Sequence, residues 1–275
     1  MEKILLFNEI EQIEKYIDKY SIDHIINGQI DKFESHAKFN LLSFDWYDID
    51  AAHEIPSQII IHFSEKNIFF ICENERSLEK VRKLFKKDDS IEKIIYNFFA
   101  ELIKNDTHYL ENLEEEITET EDALLTSSKK ECAKEIITYR RELLQLKKYY
   151  DQLNSIFEGL VQNENNLISE DSLRYFNILD SRIDRLFSNV LNIRDYVTQV
   201  REAYQAQIDI EQNNLMRVFT VVTSIFLPLT LIVGWYGMNL QMPEFSWQHG
   251  YLFVIGLSIL ITIVCLILFK RKKWF

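Results

Sequence analysis

Two apolar runs dominate the last quarter of the chain. Residues 215–236 carry one charge, Arg217, near their start, and residues 251–269 carry none. Each run is long enough to cross about 30 Å of hydrocarbon as a helix. Buried helices of a soluble protein are the poorer account, because the two runs follow one another and the second ends in "KRKKW". Upstream, Leu179, Ile183, Leu186, Val190, Ile193, Val197, Val200, Tyr204 and Ile208 recur every three or four residues. That spacing predicts a helix with a heptad-like seam. No Pro or Gly interrupts residues 161–227, so one helix is expected from about Ser169 straight into the first apolar run.

Further upstream the helical period persists over residues 90–125 and 129–160. These read as one antiparallel pair of long helices with its tip near "TSSKK". Ser90 is the expected N-cap of the first, with Asp88 and Asp89 just before it. Seven acids fall within residues 111–122, a pattern that reads first as a solvated helix face. Near the N-terminus the pattern changes. "KFNLLSFDWYDI" is rich in strand formers, and two β-like runs, 59–63 and 67–72, are joined by "SEK" as in a β-hairpin. The expected class is therefore an α+β cytoplasmic domain followed by long α-helices and two C-terminal transmembrane helices. The divisions are 1–89 for the α/β part, 90–165 for the helix hairpin and 166–214 for a stalk helix. Then come spans at 215–236 and 251–269, a connector at 237–250 and a tail at 270–275.

Composition narrows the function. Forty-three acids against 31 bases leave a net charge of −12, which argues against nucleic acid as a partner. Cys72, Cys132 and Cys265 are too scattered for a disulfide framework or a zinc site. The six histidines are dispersed, and His62 in a strand pattern reads as structural. No HExxH, GxSxG or phosphate-binding loop is present, so no enzyme is expected. The opening "MEKILLFNEIEQIEK" is too charged for a secretory signal. Lys270, Arg271, Lys272 and Lys273 follow the second span, while the connector has no Lys or Arg. By the positive-inside rule both ends are cytoplasmic and the connector is outside, as in a multi-pass protein of the cell membrane.

Two helices cannot enclose a pore in one copy, so conduction would need several copies around an axis. The first span has a face suited to that. Asn213, Met216, Thr220, Thr223, Leu227, Thr230 and Gly234 form one stripe of small, polar or flexible side chains. Close helix packing is the alternative use of such a stripe. The stripe has no carboxylate, which suits an ion that keeps its water shell. Met216, Phe219 and Leu227 could close it by dewetting, and Pro228 allows a bend.

"YGMN" at 236–239, "MPE" at 242–244, "FKRKKWF" at the end and the block "FLPLTLIVGWYGMN" resemble the CorA family of magnesium and cobalt channels. The detailed match covers roughly residues 213–275, and the upstream order agrees more loosely. The resemblance implies a funnel-shaped homopentamer that passes hydrated Mg2+ inward down the membrane potential, without a cofactor. Gly237, Met238 and Asn239 would form the outer selectivity site. Asn213, Met216, Thr220, Leu227 and Thr230 match inner pore positions, and Lys270, Arg271, Lys272 and Lys273 the basic ring. Two departures stand out. Gln241 occupies a place where the family often has an acid, leaving Glu244 as the outer acid. The stalk reads "YFNILD", with Asn177 and Ile178 where a regulatory Asp would fall. Asp88, Asp89, Asp180 and Asp184 are the candidate substitutes for a Mg2+-sensing gate. A Zn2+, Co2+ or Ni2+ transporter on the same scaffold is the alternative.

Overall fold

The computed structural model describes residues 1–27, 30–51, 54–88, 90–124, 129–238 and 247–271. They form two compact units, Met1–Arg201 and Glu202–Phe275. The first is built on a five-stranded sheet. Its strands are β1 (Glu2–Leu6), β2 (Phe33–His36), β3 (Phe39–Trp46), β4 (Ser57–Ser64) and β5 (Ile68–Cys72). The order is β1-β5-β4-β3-β2. The hairpin expected around "SEK" forms, with β4 antiparallel to β5 and Ile60 opposite Ile71. The sequence pattern did not single out β1, which pairs parallel to β5 at the sheet edge.

All five residues of β5 are buried, because both faces of the sheet are covered. On one face Leu41, Ile60, Phe69 and Ile71 meet Ile10 and Ile13 from a 3-10 turn and Ile22 and Ile25 from α1 (Lys19–Asn27). On the other, Phe70 meets Phe98 with ring centroids 4.9 Å apart, and Phe44 meets Phe99 at 5.8 Å. Those phenylalanines come from α3 (Ile91–Leu102). The aromatic ladder continues from Phe99 to Phe157 of α5 (Lys129–Gln162) at 5.0 Å, then to Phe176 of α6 (Glu170–Tyr236) at 6.2 Å. It ties the start of α6 to the sheet through two intervening helices.

The helix expected over residues 90–125 is broken. α3 ends at Leu102, and α4 (Asp106–Ala123) begins after a turn at residues 103–105. Asn105 stands at the N-cap of α4, but its side chain makes no capping bond; Asp106 supplies an acid in the first turn, where the helix dipole favours it. Ser90 does stand at the N-cap of α3, but its hydroxyl makes no capping bond. α4 and α5 run antiparallel, joined by Tyr150 to Asp106 at 2.8 Å, by Tyr109 to Glu142 and by Thr120 to Glu135 at 3.1 Å. Most of the acids of residues 111–122 lie on the exposed side of α4, while Leu113 and Ile117 are buried. α2 (Glu75–Leu84), capped by Asn74, lies against β1, β4 and β5.

The heptad-like seam from Leu179 to Val200 is buried at every position. Beyond it, Tyr204 and Ile208 are only half-buried. Gly159 is a point of close approach between α5 and β2. A Cβ there would stand 2.1 Å from Cδ1 of Phe33. Gly159→Ala gains about 1 kcal/mol of helix propensity but overpacks the contact by about 1–3 kcal/mol. A net drop in melting temperature of the detergent-solubilised protein is expected, and an increase would show that Phe33 moves aside freely.

Candidate functional site

The second unit holds the end of α6 and α7 (Gly250–Arg271), both long and apolar enough to cross a membrane. Along residues 221–236 of α6 the partly or fully covered positions are Val221, Ser224, Ile225, Pro228, Leu229, Ile232 and Tyr236. They recur every three or four residues, so they share one helical face. Cys265 of α7 lies against that face, with its Sγ 3.9 Å from the Ser224 carbonyl oxygen. The opposite face carries Thr223, Leu227, Thr230 and Gly234, all exposed. With Phe226, Leu231, Trp235 and Met238 these four line a shallow, mostly apolar groove of about 690 Å³. Toward the start of the run Asn213, Met216 and Phe219 are also exposed, while Thr220 is partly covered. Helix α7 therefore covers one side of α6 and leaves Thr223, Leu227, Thr230 and Gly234 bare.

The threonine hydroxyls on that stripe share one arrangement. Thr220 donates to the Met216 carbonyl at 2.7 Å and Thr230 to the Phe226 carbonyl at 2.8 Å; Thr223 donates to Phe219 in the same way. Each hydroxyl proton is thus used within the helix, and each oxygen keeps its lone pairs for an outside donor. Direct coordination by such weak ligands would require the ion to shed its water. A hydrated cation presents water protons, which these oxygens can accept.

Helix α6 ends at Tyr236. The Gly237 N–H donates to the Val233 carbonyl at 2.9 Å and Met238 to Trp235 at 3.4 Å, which closes the last turn. A Cβ on Gly237 would stand 2.8 Å from the Val233 carbonyl oxygen, so the position calls for glycine. Asn239 and Glu244 lie outside the described residues, as do Asp89, Lys272 and Lys273. Lys270 and Arg271 form the last turn of α7.

A family model described as CorA-like Mg2+ transporter protein matches residues 8–271. The chain belongs to this family. It is 26% identical over 255 residues to the cobalt/magnesium transport protein CorA of Thermotoga maritima, covering 90% of this chain and 72% of that one. The complete CorA magnesium transporter from Methanocaldococcus jannaschii matches with a TM-score of 0.79 at 21% identity, over 98% of this chain and 88% of that one. The full-length CmaX protein matches at 0.76 and 16% identity, over 99% and 88%. Those two structures show the same fold: an N-terminal α/β domain, long helices and two apolar C-terminal helices.

Among the described residues, the acids singled out in this CorA-family chain do not form one cluster. Asp180 is pushed up by burial and then by the charges of Asp184 and Glu158, which places three acids of α5 and α6 near one another. Asp88 is engaged elsewhere, accepting from the Ser90 N–H at 3.4 Å with Lys93 Nζ at 3.9 Å. Among the described residues no three His, Cys, Asp or Glu side chains converge on a metal site. Two further titratable groups, a carboxyl and an imidazole, are deeply buried. Asp106 is 2% exposed, and burial pushes its pKa up to about 6. His62 is also 2% exposed, and burial pushes its pKa down to about 4. The signal for Asp106 was present as "ND" inside a long helical pattern, where it breaks the helix and opens α4.

Proposed function

We propose that this protein is a channel-type magnesium transporter of the cell membrane, working as a homopentamer. Hydrated Mg2+ passes inward along an axis lined by the α6 stripe. The observation that carries the reading is the bare Thr/Gly face opposite α7, with its hydroxyl protons turned into the helix. Repeated around an axis, it makes an uncharged lining of apolar side chains with threonine acceptor oxygens at intervals, which suits an ion that dehydrates reluctantly. Gly237, Met238 and Asn239 then form the outer mouth, and Asn213, Met216, Phe219, Thr220, Thr223, Leu227 and Thr230 the pore. Lys270, Arg271, Lys272 and Lys273 ring the inner end, with both termini in the cytoplasm. Asp88, Asp89, Asp180 and Asp184 supply carboxylates for a Mg2+-sensing gate between subunits. The family resemblance and the relative named for cobalt and magnesium transport support the ion class. A zinc carrier on the same scaffold would want imidazole or thiolate in the pathway. The position of Cys265, on the covered side of α6, favours Mg2+.

The driving force is electrical. A divalent ion gains about 4.6 kcal/mol per 100 mV on moving inward, twice the single-charge figure. The test is reconstitution into liposomes holding a Mg2+-sensitive dye, under an imposed potential. Mg2+ entry that rises with potential, from a particle of pentameric mass, is expected. Entry of Zn2+ but not Mg2+ would favour the alternative, and a monomer or dimer in detergent would contradict the axial pore.

A further inference from the structure

Asp106 opens α4 and is 2% exposed, a rare setting for a carboxylate. Its Oδ2 accepts from the Tyr150 hydroxyl at 2.8 Å. A cavity of about 40 Å³ lies beside it, bordered by Asp50, Lys80, Glu101, Asn105 and Tyr149. That is room for a water but not for a larger ligand. From α6, Arg182 reaches the same turn. Its Nη2 donates to the Ile103 carbonyl at 2.9 Å and to the Lys104 carbonyl at 3.0 Å. A cation at the C-terminal carbonyls of α3 and an anion at the N-terminus of α4 each sit where the helix ends favour them.

The charges around Asp106 come from every side. Lys80 of α2 and Arg182 of α6 favour its ionised form, and Asp50 opposes it. Glu101 of α3 is answered by Lys86 at 2.9 Å and Lys104 at 3.2 Å. Tyr149 and Tyr150 of α5 are themselves buried, and burial holds both phenols well above their ordinary range, so they stay neutral. Burial is the largest influence on Asp106 and moves its titration toward neutrality.

We propose that Asp106 is a proton-binding site that sets how firmly α6 is seated on the turn between α3 and α4. Burial makes ionised Asp106 costly in the seated turn, and the attraction of Arg182 offsets only part of that cost. Protonation removes the cost, while Arg182 keeps its two carbonyl bonds. The seat firms as pH falls and loosens as pH rises. If the pore reading holds, the change is felt by the helix that lines the pore, because α6 is continuous from Glu170 to Tyr236.

Hydrogen exchange of the full-length protein in detergent tests this, with rates corrected for the intrinsic effect of pH. Between about pH 8 and pH 5, protection of residues 100–110 and 178–190 should rise about tenfold, the rise setting in near pH 6. Asp106→Asn should show the same protection at every pH, near the acid value of the wild type, and Arg182→Gln should protect less at every pH while keeping the rise. A flat wild-type profile, or an Asp106→Asn profile that still follows the wild type, overturns the proposal. Exchange is read without an ion gradient, so its outcome is independent of whether Mg2+ entry is seen.

Discussion

Asn239→Ala is expected to cut Mg2+ entry into liposomes by at least about a hundredfold, with no loss of pentamer. In the proposed mouth the ion is held only through its water, by amide oxygens repeated around the axis. Each such bond contributes about 0.5–1.5 kcal/mol net, and water-mediated bonds are nearly as good as direct ones. Five lost together remove roughly 2.5–7.5 kcal/mol from the site where the ion is captured. Thr230→Val should do less, since the proposed pore offers further acceptors at Thr223 and Thr220. Asn239→Asp is the sharper arm. Five carboxylates would bind the ion more tightly, and conduction needs binding weak enough to release. That variant should half-saturate at lower Mg2+ but pass ions more slowly. Full-rate entry through Asn239→Ala would remove the mouth from this account.

How much of this was legible beforehand depended on the range of the interactions. The apolar runs and the seam from Leu179 to Val200 are set by local periodicity, and the buried positions fall where the spacing placed them. The β4–β5 hairpin is equally local, because three residues join its strands. The parallel pairing of β1 with β5 joins residues more than 60 apart and leaves no short-range mark. The stripe on α6 could be read, since it is one helical face. Which side α7 would cover could not, because α7 is apolar all round and favours no face. The roles of Asp106 and Arg182 depend on helices α3, α4, α5 and α6 meeting at one turn. Only Asn105 and Asp106, breaking a long helical pattern, hinted at that place.

His62→Phe is expected to raise the melting temperature of the detergent-solubilised protein, and to raise it more in acid. His62 lies on β4, stacked on Phe39 at 4.8 Å and tilted against Phe69 at 6.0 Å. Neither ring nitrogen has a hydrogen-bond partner among the described residues. A phenylalanine fills nearly the same space and removes two unpaired polar atoms, each a cost of about 1–3 kcal/mol when buried. The acid dependence follows from the shift. Burial lowers the His62 pKa from 6.5 to about 4, so between those values the unfolded chain takes up the proton first. The contribution of His62 to stability is therefore intact above pH 6.5 and falls by up to about 3 kcal/mol as pH drops toward 4. Asp106 acts in the opposite sense. Its pKa is raised from 3.8 to about 6, so the folded chain holds that proton first, and stability is gained as pH falls through the same window. The two contributions are similar in size and nearly cancel between about pH 6 and pH 4. Single substitutions should unmask each one. Between pH 8 and pH 5, Asp106→Asn should lose melting temperature and His62→Phe should gain it, while the wild type moves less than either. At roughly 2–4 °C per kcal/mol for a unit of this size, the variants should separate by about 5–10 °C at pH 5. A His62→Phe protein that melts below the wild type at pH 8 would mean that water satisfies the imidazole, and that the ring is retained for its bonds.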